Sequence, residues 1–323
     1  MNILVLGAGA IGLVFGGFLA KAGHRVIFLG REKNILALNH QGIFIEGIWG
    51  NHHIIANIKG YTTLGELKEK EASKFDFALL TVKSYDTETL LKEFKSNFNV
   101  PLPIISLQNG IGNLETMAEI IGLSWSVGGR VIFGAELIEP AKVKVTVYAE
   151  EVVIGGMGNN IEFTKVNNIA KILDSAGIPT LPTDEIEKYI WGKALYNSAL
   201  NGLGAILGVK YGFLKEHDYS RWMITRIVEE FFLVAEKENK KLHWANPKEY
   251  LADLFERLIP ITYDHYPSMF RDIQNQKRTE IDYLNGAIVS RALKHRIEVP
   301  VNWLITNLVK VKEKMSRGIQ NYG

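Results

Sequence analysis

Over its first 182 residues the chain repeats one pattern, a short apolar run rich in β-branched residues followed by a stretch with apolar residues at helical spacing. NILVLG, RVIFLG, FDFALLTVK and LPIISLQNG are such runs. Strands alternating with helices predict a parallel sheet with helices on both faces. The runs at 125–134, 141–148 and 151–155 crowd together, so an antiparallel extension is expected where the sheet ends. A helix follows over 161–176, and Gly177-Ile-Pro-Thr-Leu-Pro182 breaks the pattern.

Beyond Pro182 the strand signals fade. Helices are expected over 184–207, 219–240, 268–294 and 301–315, with Pro247, Pro260, Pro267 and Pro300 near their breaks. The charged stretches KEKE at 68–71 and KENKK at 237–241 read as solvated faces. A chain of 323 residues suits two domains, because single cores stop growing near ~250–300 residues.

Gly7-Ala8-Gly9-Ala10-Ile11-Gly12 fits GxGxxG between the first strand and the first helix. The first glycine permits a tight turn, the second admits a pyrophosphate against the backbone, and the third allows close helix–strand contact. The next strand follows His24, which completes a βαβ unit. That second strand closes on Leu29-Gly30-Arg31, without the carboxylate that usually meets an NAD ribose. A guanidinium suits a 2′-phosphate, so Arg31 favours NADP(H), with surface pairing to Glu32 as the alternative. The fold class is therefore α/β: an N-terminal Rossmann-like, NADP-binding domain over 1–182 and a C-terminal all-helical domain over 183–323.

Charge and composition narrow the partners. With 37 basic against 35 acidic side chains, no electrostatic footprint for nucleic acid or an anionic membrane is present. The absence of cysteine excludes disulfides, thiolate metal sites and a cysteine nucleophile. The eight histidines form no HExxH-type set, and His52 and His53 adjoin in an expected strand, where they point to opposite faces, so no metal is expected. The apolar start lacks a basic leader and a cleavage site. A cytoplasmic protein acting on a small molecule is expected, with no membrane or nucleic-acid partner and a homodimer left open.

Within IWGKALYNSALNGLGAILG, Lys193, Asn197 and Asn201 stand at i, i+4 and i+8 and form a polar stripe among apolar neighbours. From spacing alone a solvated stripe or helix contact suits the row as well as a substrate site does. Ser268 follows Pro267 where a helix is expected to begin. Glu280 lies twelve residues on and reads by itself as a surface carboxylate.

Together GAGAIG, LLTVKSYDT, SLQNGIGN, WGKALYNSALNGLGAI and PSMFRDIQNQKRTEIDYLNG resemble the ketopantoate reductase family over nearly the whole chain. The resemblance implies NADPH-dependent reduction of 2-dehydropantoate to (R)-pantoate, a step toward pantothenate and coenzyme A. It implies Lys193 as the catalytic acid and Asn197, Asn201 and Ser268 as substrate-binding groups. Cofactor contacts are implied at Gly7 through Gly12 and at Arg31, Lys83, Asn109, Gly134 and Glu280. Two positions depart from the family pattern, His265 and Tyr211, each standing where an asparagine is common. They keep open a reductase of another 2-oxo acid. A non-catalytic NADP sensor is the rival of another class, and the presence of both Lys193 and Glu280 weighs against it.

Overall fold

The computed structural model describes residues 1–71, 74–98, 100–158 and 161–318. They form two units, Met1–Gln108 with Asn113–Ile186, and Asn109–Gly112 with the chain from Glu187 onward.

The strands of the first unit are β1 (Asn2–Leu6), β2 (Arg25–Leu29), β3 (Ile43–Gly47), β4 (His52–Ile54), β5 (Ile58–Tyr61), β6 (Phe77–Leu80), β7 (Ile104–Ser106), β8 (Ser126–Arg130), β9 (Phe133–Glu139), β10 (Lys142–Tyr148), β11 (Val152–Gly156) and β12 (Thr180–Thr183). Its helices are α1 (Ala10–Lys21), α2 (Glu32–Gln41), α3 (Leu64–Lys70), α4 (Thr87–Asn97), α5 (Asn113–Ile121) and α6 (Phe163–Ser175). The main sheet runs β12-β11-β8-β7-β6-β1-β2-β5, parallel except where β11 lies against β8. Its central strands are buried on both faces, which explains their unbroken apolar runs. Ile3, Val5, Val26 and Phe28 pack toward α1, while Leu4, Leu6, Ile27 and Leu29 pack toward Leu64, Leu91, Phe94 and Met117.

The expected antiparallel extension is only partly realised. Val153 pairs with Arg130 and Ile154 with Gly129 in the main sheet, but the intervening β9–β10 hairpin leaves it. It joins a second sheet, β4-β3-β10-β9, in which β10 is parallel to β3. Aromatic packing explains the choice: Phe133 on β9 stacks on Phe15 of α1 at 5.8 Å, and Trp49 stands 4.7 Å from Phe133 and edge-on to Phe18. Leaving the main sheet lets the hairpin bury Val143 and Val145 while Lys144 stays in water.

KEKE is also not wholly solvated. Glu71 is buried, because Arg25 Nη2 and Tyr61 Oη both donate to its carboxylate, at 2.5 and 2.7 Å. That environment, chiefly burial and the bond to Glu71, pushes the Tyr61 phenol up to about 12. In KENKK, Lys240 pairs with Glu187.

The second unit contains no strand among its described residues. Its helices are α7 (Ile186–Leu207), α8 (Tyr211–Glu216), α9 (Asp218–Lys237), α10 (Pro247–Asp253), α11 (Ile259–Ile261), α12 (Ser268–Gln274), α13 (Asn285–His295) and α14 (Pro300–Ser316), with a π-helical segment at Leu254–Leu258. Trp191, Leu195, Ala199 and Leu203 of α7 share a core with Phe231, Ile288 and Ile305.

The helix expected over 268–294 is two helices. Gln276 adopts a left-handed φ of 55°, and the Glu313 carboxylate takes the backbone N–H and the hydroxyl of Thr279. A donor captured by a residue on α14 has no reason to enter a helix, so the chain turns through Glu280 into a 3₁₀ segment at Ile281–Tyr283.

Candidate functional site

The order β6-β1-β2 makes the carboxyl end of β1 a switch point, since the chain passes first to one side of β1 and later to the other. Gly7 turns there at φ +129°, and a Cβ on it would stand 2.7 Å from the Val82 nitrogen. A Cβ on Gly12 would lie 1.9 Å from the Gly7 carbonyl oxygen, so the turn closes directly onto the helix. Gly9 is different, because a Cβ there meets nothing within 4 Å. Helix α1 begins at Ala10 without a side-chain cap, leaving the N–H groups of Ala10, Ile11 and Gly12 no intrahelical acceptor. Open space, uncapped donors and a positive helix end fit a pyrophosphate. Ala8 lies against the end of β2, where a Cβ on Gly30 would stand 2.6 Å from its own Cβ.

Arg31 caps the start of α2 in extended conformation with its side chain 79% exposed. Its guanidinium stands 4.0 Å from Asp86, not paired with Glu32. Such an exposed pair holds weakly and can yield to a doubly charged phosphate. Lys83 follows β6, at the start of the turn Ser84–Asp86. Gln108 Nε2 ties that loop to the end of β7 by donating to the Val82 carbonyl at 2.8 Å and to Thr87 Oγ1 at 2.7 Å. Buried Asn113 adds a bond from Nδ2 to Ser84 Oγ at 3.0 Å. Gly134 stands on β9 in the second sheet, next to the Phe133 that stacks on α1, and a Cβ there would meet Thr146 Oγ1 at 2.6 Å.

In the helical unit, the stripe on α7 is not a solvated face. Lys193 is half-buried, whereas Asn197 and Asn201 are only 8% and 5% exposed. The Asn197 amide has no hydrogen bond among the described residues, and Asn201 Oδ1 accepts from Tyr211 Oη at 3.2 Å. A buried amide without partners costs roughly 1–3 kcal/mol, so this stripe is arranged for something else to complete it. Ser268 is exposed at the start of α12, and Pro267 before it packs on α7, where a Cβ on Gly204 would stand 2.7 Å from Pro267 Cγ.

Glu280, 8% exposed, precedes the 3₁₀ segment, and Ile281 beside it packs near Gly202, one residue past Asn201. The segment after Asn109 joins this turn: the Ile111 N–H donates to the Tyr283 carbonyl at 2.9 Å. Gly110 is required for that approach, with φ +89° and a would-be Cβ 2.4 Å from the Tyr283 oxygen. Lys193, Asn197, Asn201, Ser268, Glu280 and Asn109 therefore all belong to segments packed about α7 or bonded to its neighbours. A buried network stiffens the assembly. Glu230 accepts from the backbone N–H groups of Val301 and Asn302 at 2.9 and 2.8 Å, and Asn285 Nδ2 donates to Asn302 Oδ1 and to the Ser198 carbonyl, each at 3.0 Å.

Residues 3–159 match the family described as ketopantoate reductase PanE/ApbA, and residues 185–313 match its C-terminal counterpart. A 2-dehydropantoate 2-reductase of Aquifex aeolicus is 39% identical over 313 residues, covering 97% of each chain. The chain belongs to the ketopantoate reductase family. A second 2-dehydropantoate 2-reductase, from Pyrococcus horikoshii, is 36% identical over 321 residues, 98% of this chain and 99% of that one. A PanE/ApbA family ketopantoate reductase from Ralstonia eutropha superposes with a TM-score of 0.86 at 28% identity, covering 98% of this chain and 100% of its own. D-mandelate dehydrogenase in a ternary structure with NADH and anilino(oxo)acetate also gives 0.86, at 27% identity and 98% and 99% coverage.

Two supports of this ketopantoate reductase family site escape a reading of the sequence. Thr81 Oγ1 donates to the Gly7 carbonyl at 2.7 Å, and Asn34 Nδ2 to the Ala8 carbonyl at 2.7 Å. Both hold the glycine loop from outside its motif. The only local signs are a short polar residue directly after β6 and an amide in the first turn of α2.

Proposed function

We propose that this protein reduces 2-dehydropantoate to (R)-pantoate with NADPH, in the cytoplasmic route to pantothenate and coenzyme A. The observation that carries the reading is the row Lys193, Asn197 and Asn201, in which both amides are buried, the lysine is half-buried and the Asn197 amide lacks a partner among the described residues. The 1–182 part serves as the dinucleotide-binding domain and the 183–323 part as the substrate and catalytic domain.

A nicotinamide dinucleotide would supply hydride-transfer chemistry for reduction of the C2 ketone. In the first unit Gly7, Ala8, Gly9, Ala10, Ile11 and Gly12 would hold its pyrophosphate, Arg31 would read the 2′-phosphate, and Lys83 and Gly134 would add contacts; in the second unit Asn109 and Glu280 are the contacts that the family resemblance implies. Lys193 polarises the ketone and gives its Nζ proton to the oxygen that becomes the alcohol, acting as a positioned general acid. Asn197 and Asn201 bind the hydroxylated end of the substrate and so fix the face presented to hydride, while Ser268 donates to the carboxylate.

The test is a spectrophotometric NADPH oxidation assay over a panel of 2-oxo acids. 2-Dehydropantoate should be reduced most efficiently, and inactivity toward it would remove the assignment. A second reading, reduction of another 2-oxo acid, is favoured by Tyr211 and His265 lying together beside Asn201, with rings 5.6 Å apart. The likeness to D-mandelate dehydrogenase supports the same reading. A preference for a different member of the panel would establish it.

A further inference from the structure

We propose that Tyr211 is a positioning residue that sets substrate selectivity by holding the Asn201 amide in one orientation, with its N–H donors left for a ligand. The proposal rests on the 2-oxo acid reductase reading above.

Tyr211 is 2% exposed, and burial raises its phenol well above the ordinary range, so the hydroxyl keeps its proton and must donate it. Asn201 Oδ1, at 3.2 Å, is the acceptor it has among the described residues. Turning the amide over would bring Nδ2 to the phenol and leave the phenolic proton without its acceptor on a side chain that is only 2% exposed. The cost of that orphaned proton selects one orientation of the amide.

The phenol cannot follow a rotating amide, because its backbone and ring are both held. Tyr211 N–H donates to the His265 carbonyl at 3.1 Å and Gly212 N–H to the Tyr263 carbonyl at 2.9 Å. The Tyr211 ring meets Tyr196 edge-on at 5.9 Å, and Tyr196 Oη is itself bonded to Thr262 Oγ1 at 2.7 Å. The row thus offers a fixed donor at Asn201 and, one turn earlier at Asn197, an amide that can present either end. A hydroxyl on the substrate can accept from the fixed donor. An alkyl group cannot, so preference for hydroxylated over alkyl 2-oxo acids depends on Tyr211.

Steady-state kinetics of the wild type, Tyr211→Phe, Asn201→Leu and the double variant on 2-dehydropantoate and 2-oxoisovalerate test this. Tyr211→Phe should lower kcat/KM for 2-dehydropantoate about tenfold, through KM, and change 2-oxoisovalerate less than about twofold. Because Tyr211 acts through Asn201, the double variant should be no worse than Asn201→Leu alone. Equal losses on both substrates, no loss on either, or additive losses in the double variant would each overturn the proposal while the functional reading stands. Wild-type protein inactive on both substrates would overturn the functional reading and this proposal with it. Should Tyr211→Phe fail to fold, the double variant has lost both partners and orphans neither, so its comparison with Asn201→Leu decides: equal kinetics support the proposal and unequal kinetics overturn it.

Discussion

Asn285 Nδ2 stands 3.0 Å from the backbone carbonyl of Ser198, tying the first residue of α13 to the middle of α7, between Asn197 and Asn201. The same nitrogen supplies Asn302, which together with Glu230 secures the start of α14. Asn285→Ala would leave Asn302 Oδ1 without its donor away from water and open a void beside Gly202. A loss of about 2–4 kcal/mol is expected in denaturant unfolding. A loss below about 1 kcal/mol would mean that the network contributes little to holding α7.

Gly9 separates binding from folding. Its φ of −88° suits any residue, and its Cβ direction is empty, so Gly9→Val should keep stability within about 1 kcal/mol, the scale of a changed helix cap. The valine would fill the space assigned to the pyrophosphate. Calorimetry should find NADPH binding abolished, and retained affinity would show that the dinucleotide does not lie across this turn.

Arg31 has little to lose in the unliganded protein, its pair with Asp86 being long and exposed. Arg31→Ala should therefore leave stability unaltered while weakening NADPH by roughly 10–100-fold, the worth of charge-assisted bonds to a phosphate, with NADH far less affected. Comparable losses for both cofactors, measured by titration, would remove the 2′-phosphate role.

Lys193 and Asn201 should separate kinetically. Lys193→Ala is expected to lower kcat by about 10²–10⁴-fold, and Asn201→Ala to act mostly through KM. If Lys193→Ala raised KM alone, the ammonium would be an anchor for the substrate carboxylate and the proton would come from another group.

The motif loop and the central strands were legible because their determinants are local. Buried parallel strands need unbroken apolar runs, and GxGxxG must sit directly between strand and helix. Where the determinant is distant, reading fails. Apolar spacing continues from Ile273 through Ile281, Leu284 and Ile288, yet the helix stops because Glu313 takes the Thr279 N–H from 34 positions away. The β9–β10 hairpin has the same alternation in either sheet, and Phe15, Phe18 and Trp49 decide its destination. On α7, spacing left a solvated stripe or helix contact as open as a ligand site, and burial of Asn197 and Asn201 removed the solvated stripe. The bond from Tyr211 to Asn201 joins residues ten apart through the turn after α7, which no periodicity reports.

The tetrapeptide Asn109–Gly112 has a consequence for dissecting the molecule. It is encoded among the strands but counts with the helices, where Ile111 enters their core and its N–H occupies the Tyr283 carbonyl. A fragment starting at residue 185, where the C-terminal family match begins, would lack that piece. It would expose apolar surface and leave a carbonyl open three residues from Glu280. The helical half is therefore not a cassette that can be excised at a single cut or exchanged between relatives at one junction; a faithful graft must carry two separate stretches of chain.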